Sequence, residues 1–222
     1  IKADHIFTTD SNSTKSYAGN TKRASIDVLP FAAQPALHRP GGMSTRAQKI
    51  CFAGSWCGEK YPLRTHEMFW LLNAASDFDL EIFDRNYDSE EFRFPKEFEQ
   101  NVKGRLPYDE LCKKYREYRV FLNVNSVVDS PTLFSRRVFE IMASGTPIVS
   151  THSRGIEELF GRDIVWLVND ESEARLAIKT LMENDQEWER RSLRGVREVF
   201  SNHTYADRLG FILRRLNIKR EQ

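Results

Sequence analysis

A chain of 222 residues has room for one sizeable domain and an appendage, because domains usually run to roughly 100–200 residues. The 33 Lys and Arg almost balance the 32 Asp and Glu, which excludes a global field able to hold nucleic acid or an anionic membrane. Any anion site must therefore be local.

The cysteine content and the hydrophobic pattern indicate the compartment. Cys51, Cys57 and Cys112 are odd in number, and their spacing fits no zinc-binding pattern. No stretch approaches the ~18 apolar residues of a membrane span, and the N-terminus lacks a signal-peptide pattern. The chain begins at Ile1 rather than Met, as a trimmed fragment would. We therefore expect reduced thiols, no membrane span and a cytoplasmic location.

The first forty residues differ in pattern from the rest of the chain. Two short strand-like runs, at 5–8 and 25–29, flank a Ser/Asn-rich segment. Clustered Pro and Gly then indicate a linker at about 34–46. We interpret residues 1–40 as the tail of a preceding domain with its linker, and residues 41–222 as a second domain.

From Ile50 onward, β-rich runs alternate with amphipathic helical patterns, which is typical of βαβ units. The fold class predicted is α/β, a Rossmann-like and mainly parallel sheet flanked by helices. The predicted strands are 49–53, 79–83, 102–104, 120–124, 147–150 and 164–168. The predicted helices are 62–76, 108–118, 133–144, 155–160, 172–184, 188–200 and 205–216. The acidic and aromatic stretch 87–99 is predicted to be a surface loop.

Residues 130–150 carry the strongest functional signal. The segment follows a buried strand, opens with a Ser-Pro turn, runs as a helix and ends at Gly145, which suits a left-handed cap. Four apolar residues recur at helical spacing and form the face packed on the sheet. Arg136 and Glu140, four residues apart, share roughly the opposite face.

Two interpretations of Arg136 and Glu140 are open. The spacing alone favours a solvated ion pair worth ~0.2–0.5 kcal/mol. Alternatively, the helix N-terminus supplies free N–H groups and the positive dipole end, while Arg136 and Arg137 add charge-assisted donors. A diphosphate requires that chemistry, and Glu140, one turn deeper, would accept hydrogen bonds from vicinal ribose hydroxyls.

The run FEIMASGTPIVS at 139–150, followed by RGIEELF at 154–160, resembles the donor-site motif of group 1 glycosyltransferases with the GT-B fold. More closely, residues 130–140 and 203–208 resemble the branch that includes spore-maturation CgeB-like proteins. The similarity covers the chain from about Ile50 to Leu216. It implies that residues 41–222 form the C-terminal, nucleotide-sugar-binding half of such a fold, closed by a crossover helix, behind a remnant of the N-terminal domain.

The resemblance also implies roles for single residues. Glu140 matches the second glutamate of the family's Glu–seven residues–Glu motif, which holds the ribose of the nucleotide. The position of the first glutamate is Thr132 in this chain. Many relatives use that carboxylate on the donor sugar, so the identity of the sugar and the stereochemical outcome stay open.

The AGSWCG run at 53–58 resembles the first glycine-bearing loop of the donor domain, where backbone approaches the phosphates closely. Gly54 and Ser55 would then belong to the site, although an ordinary strand-to-helix turn fits the pattern equally well. Lys60 and Arg64 would reach toward the same anion or remain solvated.

Two further loops lie where open α/β sheets bind ligands. In similar proteins the loop at 104–108 flanks the nucleobase, so Leu106 and Tyr108 would contact it, unless Tyr108 only packs in the first turn of a helix. Arg154 or the Gly155 amide would contact sugar or phosphate.

The resulting hypothesis is a hexosyltransferase-type enzyme that transfers a sugar from a nucleotide diphosphate donor to an unknown acceptor. It needs no metal or other cofactor, because the only DxD spacing, Asp77 to Asp79, falls at a strand entry. Its partners would be the nucleotide sugar and the missing N-terminal domain, without which the chain is inactive. A noncatalytic nucleotide-sugar-binding or interaction module of a larger protein is the main alternative. A receiver or flavodoxin-like regulator fits less well, since its phosphorylation site is not evident.

Overall fold

A computed structural model describes residues 3–21, 24–42 and 46–218. Residues 43–45 of the predicted linker, and the few residues at 1–2, 22–23 and 219–222 of the two predicted domains, lie outside the described residues. The strands are β1 His5–Thr8, β2 Ser25–Val28, β3 Ala47–Gly54, β4 Leu80–Asp84, β5 Val102–Gly104, β6 Tyr118–Asn123, β7 Ile148–Thr151 and β8 Trp166–Val168. The helices are α1 Thr14–Asn20, α2 Pro62–Ala75, α3 Tyr108–Lys114, α4 Arg137–Ala143, α5 Arg154–Phe160, α6 Glu171–Glu183, α7 Asp185–Asn202 and α8 Tyr205–Arg215.

Six parallel strands form the main sheet, in the order β5-β4-β3-β6-β7-β8. The chain starts at β3, runs outward to β5, returns beside β3 as β6 and continues the other way to β8. This doubly wound order confirms the predicted α/β, Rossmann-like class. Ligands of such sheets bind outside the carboxyl ends of the strands where the order reverses, which here lies between β3 and β6.

Both faces of the sheet are buried, so its central strands read as nearly continuous apolar runs. Successive side chains point to opposite faces. Phe52 of β3 therefore packs with the cluster that covers α2 and α6, whereas Cys51 packs with the cluster that contains α4. In β6, Leu122 and Phe121 divide between the two clusters in the same way.

Three predicted segments differ clearly from the structure. The helix predicted at 108–118 ends at Lys114, and Tyr118 begins β6. The prediction of a surface loop at 87–99 is wrong in part, because Phe94 and Phe98 are buried and pack in the core beside β4 and β5. The helix predicted from Leu133 begins only at Arg137. The Ser130 hydroxyl accepts hydrogen bonds from the Leu133 N–H at 3.0 Å and the Thr132 N–H at 3.3 Å, which holds the chain in a turn before α4.

The N-terminal segment forms a separate two-stranded parallel sheet, β1 with β2, connected by α1. α8 lies against it: the Phe7 and Phe211 ring centroids are 6.3 Å apart, and Arg215 pairs with Asp27 at 3.0 Å. Ala33 bridges to Thr204 just before α8. None of the helices in the described ranges is long and apolar enough to cross a membrane.

Candidate functional site

A cleft of about 520 Å³ opens at the carboxyl ends of β3 and β4. The ends of these strands form its floor, and the loop after β5, helix α3 and the start of α4 form its walls. Phe31 closes one side from the N-terminal segment. The cleft therefore lies beside the point where the strand order reverses, as expected for a ligand site of an open α/β sheet.

Glu140 of α4 is the buried carboxylate of this cleft, and its side chain is only 2% exposed. Its Oε1 accepts hydrogen bonds from the Tyr108 hydroxyl at 2.7 Å and from Arg136 Nε at 2.8 Å. Its Oε2 accepts from the Tyr115 hydroxyl at 3.1 Å. Since a carboxylate offers about four lone pairs, Oε2 retains room for one more donor.

Both tyrosines that contact Glu140 keep their protons. Burial, followed by the hydrogen bond and charge of Glu140, raises the pKa of Tyr108 well above its ordinary value. Burial and then the charge of Glu140 act on Tyr115 in the same direction, so its pKa is also raised. The two hydroxyls are thus fixed as donors toward the carboxylate.

Arg136 is 46% exposed, and its guanidinium carbon lies 5.1 Å from the centroid of the Tyr108 ring. The ion pair with Glu140 that the spacing predicted does form. However, the prediction that both partners are solvated on an exposed helix face is wrong, because the Glu140 carboxylate turns into the cleft and is buried. Removing such an anion from water is costly unless donors surround it, and two tyrosines and Arg136 supply them.

Arg137 reaches the end of β3, where its Nη1 donates to the carbonyl of Ala53. Gly54 leaves the space that this side chain occupies. A Cβ at position 54 would lie 3.3 Å from Arg137 Nη1 and 2.8 Å from the Phe52 ring. A side chain at position 54 would therefore force the Phe52 ring to shift and would crowd the Arg137 guanidinium.

Three arginines meet near this strand end without an acidic partner. Arg64 and Arg137 have pKa values lowered first by burial, and the neighbouring arginine charges, Arg85 among them, lower them further. The charge of Glu140 opposes this change at Arg137 without reversing it. Arg64 Nη1 donates to the Ser55 carbonyl at 3.0 Å. None of the three forms an ion pair with an Asp or Glu within the described part of the chain. Poorly compensated cations of this kind suit an anionic ligand.

Six of the ten residues predicted for the site line the cleft: Gly54, Leu106, Tyr108, Arg136, Arg137 and Glu140. Ser55, which follows Gly54 in the chain, does not line the cleft; it is 2% exposed, and its buried hydroxyl has no hydrogen-bond partner among the residues described. The other three predicted residues, Thr132, Arg154 and Gly155, lie outside the cleft.

Each of the three outlying residues has a different structural neighbour. The Thr132 hydroxyl donates to the Thr9 carbonyl at 3.0 Å and accepts from the Ser11 N–H at 2.9 Å, so it joins the N-terminal segment to the turn before α4. Arg154 is exposed and pairs with Glu158 at 2.6 Å. A Cβ at Gly155 would lie 2.9 Å from the Phe134 ring, because this glycine is packed against the same turn.

The cleft also contains residues that the sequence analysis missed, chiefly Phe31, Arg85 and Tyr115. Arg85 follows the end of β4, the strand next to β3, and its place after a predicted strand could have been read as a ligand-facing position. Tyr115 closes α3 and gives no such signal. Phe31 comes from a part of the chain far away in sequence.

The Asp77 and Asp79 pair takes part in ion pairs rather than in an open acidic site. Asp79 lies 3.3 Å from Lys49 Nζ, and Asp77 contacts Arg175. Over the described ranges, no group of three or more His, Cys, Asp or Glu side chains is arranged to hold a metal ion.

A family model described as "Glycosyl transferase-like" matches residues 64–214, which is more than half of the chain. The chain belongs to this glycosyl transferase-like family. No curated protein matches it in sequence.

Solved structures show the same fold. HepE of Anabaena, in complex with UDP and glucose, is 15% identical with a TM-score of 0.71, over 98% of this chain and 64% of that one. Sucrose-phosphate synthase of Thermosynechococcus elongatus is 17% identical with a TM-score of 0.69, over 97% and 59%. A glycosyltransferase of Rickettsia africae is 13% identical with a TM-score of 0.67, over 95% and 62%.

These similarities identify the GT-B type of fold. At such low identity they say nothing about substrate. The chain spans 59% to 64% of the length of these three proteins.

Proposed function

We propose that this chain is the nucleotide-sugar-binding half of a glycosyltransferase that moves a hexosyl group from a nucleoside diphosphate to an acceptor. One observation carries the proposal: a buried carboxylate, Glu140, and arginines without acidic partners line the same cleft at the sheet's carboxyl edge. The ribose and diphosphate of one nucleotide need those two kinds of group side by side.

Glu140 is the proposed ribose-binding residue. Vicinal hydroxyls are donors, and the carboxylate accepts one of them at the open position on Oε2 without losing the bonds from Tyr108 and Tyr115. The second hydroxyl would replace Arg136, whose exposed side chain can move toward the phosphates at little cost. A protonated or amide side chain at position 140 would serve less well.

Arg137 and Arg85 are the proposed diphosphate ligands, with Arg64 behind them. Their charges would stabilise the departing diphosphate as negative charge develops on it, which is the electrostatic role that a metal ion fills elsewhere. On this basis we propose transfer without a metal. The arginines supply more of this stabilisation than the dipole of α4, which has only seven residues and begins at Arg137 itself.

The base is proposed to lie beside Leu106 and Tyr108, in the loop between β5 and α3, with Phe31 on the opposite wall. These side chains offer apolar surface but no side-chain pattern that selects one base. The nucleotides bound by structural relatives, such as UDP in HepE, therefore serve only as candidates for this chain.

The acceptor site is proposed to lie on a preceding domain, of which residues 1–40 are the tail. The relatives are longer than this chain, and β1, α1 and β2 are too small to form a second cleft wall. We therefore propose that the chain alone binds donor but transfers no sugar. Membership of the CgeB-like branch and a cytoplasmic location belong to the same proposal, the latter supported by three free thiols.

Thr132 favours one alternative, a noncatalytic nucleotide-sugar-binding module. Relatives resembling this chain use a carboxylate there on the donor sugar, whereas the Thr132 hydroxyl is occupied by Thr9 and Ser11. A longer form of the protein that includes the preceding domain separates the two functions. Incubated with nucleotide sugars and acceptors, a transferase releases nucleoside diphosphate in proportion to product. A module binds the same nucleotide sugars and releases none, and this result would sink the proposal of transfer.

A further inference from the structure

His38 lies in the segment that leads from the N-terminal strands to the main sheet, and it is buried at 1% exposure. Its Nδ1 accepts a hydrogen bond from the Gln34 N–H at 3.0 Å. A ring nitrogen that accepts a backbone N–H carries no proton, so the neutral ring must hold its proton on Nε2. The contact with Gln34 therefore fixes the tautomer.

The protonated Nε2 faces α3. It lies 3.2 Å from the Tyr108 hydroxyl and 3.4 Å from Cys112 Sγ. Because the Tyr108 hydroxyl donates its own proton in a hydrogen bond to Glu140 at 2.7 Å, the lone pairs of its oxygen can accept the hydrogen bond from His38. A directed series of hydrogen bonds thus runs from the Gln34 N–H through His38 and Tyr108 to Glu140.

Burial favours the neutral form of His38, and the charged groups around it act on its pKa in opposite directions. Tyr108, Cys112 and Tyr115 face it from α3 and the turn after α3, and Glu140 and Arg136 face it across the cleft. Burial lowers the pKa of His38, the charge of Glu140 opposes that change, and the charge of Arg136 adds to it, with a net lowering. A protonated His38 would lose its acceptor for Gln34.

We propose that His38 is a positioning residue of the nucleotide site: its Nε2–H holds the Tyr108 hydroxyl toward Glu140 and so prepares the carboxylate for ribose. The inference rests on the proposed function, in which Glu140 accepts the ribose hydroxyls. Since His38 lies between the N-terminal strands and the sheet, a shift of this segment would change the affinity for nucleotide by moving Tyr108.

Two conservative variants separate the two ring nitrogens. His38→Gln keeps an N–H donor near the place of Nε2. His38→Asn keeps an amide oxygen near the place of Nδ1 that can accept from Gln34, but its shorter side chain brings no N–H to the place of Nε2. Losing one hydrogen bond costs ~0.5–1.5 kcal/mol, or about 2- to 13-fold in affinity. We expect His38→Asn to weaken the binding of uridine, guanosine or adenosine diphosphate, whichever binds, by that factor. The affinity of His38→Gln should stay within about twofold of wild type.

Tyr108→Phe supplies the test that a structural role would not satisfy. In the Tyr108→Phe background, the N–H donor at position 38 has no hydroxyl oxygen at position 108 to bind. The difference in nucleotide affinity between His38→Gln and His38→Asn should therefore vanish. Calorimetry at pH 7.5 measures all affinities, with thermal unfolding as a check that each variant is folded. Equal affinities of the two His38 variants, or a difference that persists in Tyr108→Phe, would overturn the inference.

The free protein gives a readout that does not depend on nucleotide. Long-range proton–nitrogen NMR should find the His38 proton on Nε2. A proton on Nδ1 at pH 7.5 would by itself refute the proposed series of hydrogen bonds from Gln34 to Glu140. Wild-type affinity should also fall once the pH drops below the pKa of His38 in the folded protein, which burial places under its ordinary value, and His38→Gln should abolish that part of the pH dependence. If wild type binds none of the nucleotides while NMR finds the Nε2 tautomer, the proposed function fails, and with it the role at the site.

Discussion

Arg136 and Glu140 form an ion pair at 2.8 Å in which the carboxylate is 2% exposed and the guanidinium 46% exposed. The two ends of one pair thus belong to different environments. A surface pair of this spacing contributes little, but a buried carboxylate is retained only where donors surround it. Glu140 has three such donors, two of them tyrosine hydroxyls, in a cleft open to ligands.

Replacing the buried carboxylate should weaken nucleosides and nucleotides alike. We expect Glu140→Gln to cost ~1.5–3 kcal/mol of binding free energy, the range for hydrogen bonds to charged groups, since ribose is common to both ligands. Calorimetry measures it. Glu158→Gln is the matched control, because Glu158 also pairs with an arginine four residues away but on an exposed face. An equal loss in Glu158→Gln would contradict the assignment.

Removing the arginine at the strand end should separate binding from stability. Arg137→Met should weaken the binding of a nucleoside diphosphate by ~1.5–3 kcal/mol and leave the binding of the nucleoside unchanged. The ligand-free protein should be no less stable to urea, because removing a cation that burial disfavours offsets the loss of its hydrogen bond to the Ala53 carbonyl. Arg154→Met, on the exposed surface, should change neither quantity. A uniform loss for nucleoside and diphosphate would argue that Arg137 only supports the cleft.

Gly54 is expected to tolerate no side chain. A Cβ there would lie 2.8 Å from the Phe52 ring and 3.3 Å from Arg137 Nη1, so Gly54→Ala should destabilise the fold by ~1–3 kcal/mol through overpacking and weaken diphosphate binding. Gly19→Ala is the control: it lies in α1 with nothing within 4 Å of the added carbon, and should stabilise by ~0.5–1 kcal/mol. Urea unfolding compares the two, and similar effects would count against the close approach.

Thr132 should matter for stability and not for binding. Thr132→Val removes two hydrogen bonds to the N-terminal segment, for which we expect a loss of ~1–3 kcal/mol of unfolding free energy at ~0.5–1.5 kcal/mol each. Nucleotide affinity should be unchanged at a temperature where the variant is folded. Weaker binding of the nucleotide sugar, but not of its diphosphate, would instead return Thr132 to the sugar subsite.

Acid should destabilise the folded chain through its buried histidines. Burial lowers the pKa of both His38 and His203, so the fold favours their neutral forms. Their contribution to stability is complete above the unfolded value of about 6.5 and declines as the pH falls below it, by at most ~1.4 kcal/mol per pH unit for each histidine. Urea midpoints at pH 7.5 and 5.5 measure the decline, which His38→Gln should reduce. An unchanged pH dependence in that variant would refute the assignment to His38.

The sequence predicted the sheet because each central strand is buried on both faces and reads as an apolar run. Gly54 and Glu140 were predicted from the resemblance to the glycosyltransferase donor-site motifs, and Arg137 from its place at the start of a helix that follows a parallel strand. Tyr115 and His38 were not, because their roles depend on contacts over 25 and 70 residues, with Glu140 and Tyr108. Local pattern cannot register such contacts.

The start of α4 shows a second limit. Helical spacing extends back to Phe134, yet Ser130 holds the preceding turn through its hydroxyl, which also donates to Asp10 at 2.6 Å. The turn held by Ser130 thus replaces the first turn of the predicted helix. Its contact with Asp10 of the N-terminal segment cannot be seen in the pattern of 130–150. The same segment takes up Thr132, so the position expected to face the sugar lies outside the cleft.

The most direct test of the central claim is equilibrium binding of nucleosides and their diphosphates to this chain, in wild type and in the double variant Glu140→Ala, Arg137→Ala. We expect one diphosphate of the uridine, guanosine, adenosine, cytidine and thymidine series to bind saturably at one site, more tightly than its nucleoside. The folded double variant should bind neither. No saturable binding of any diphosphate to wild type, or undiminished binding to the double variant, would contradict the account.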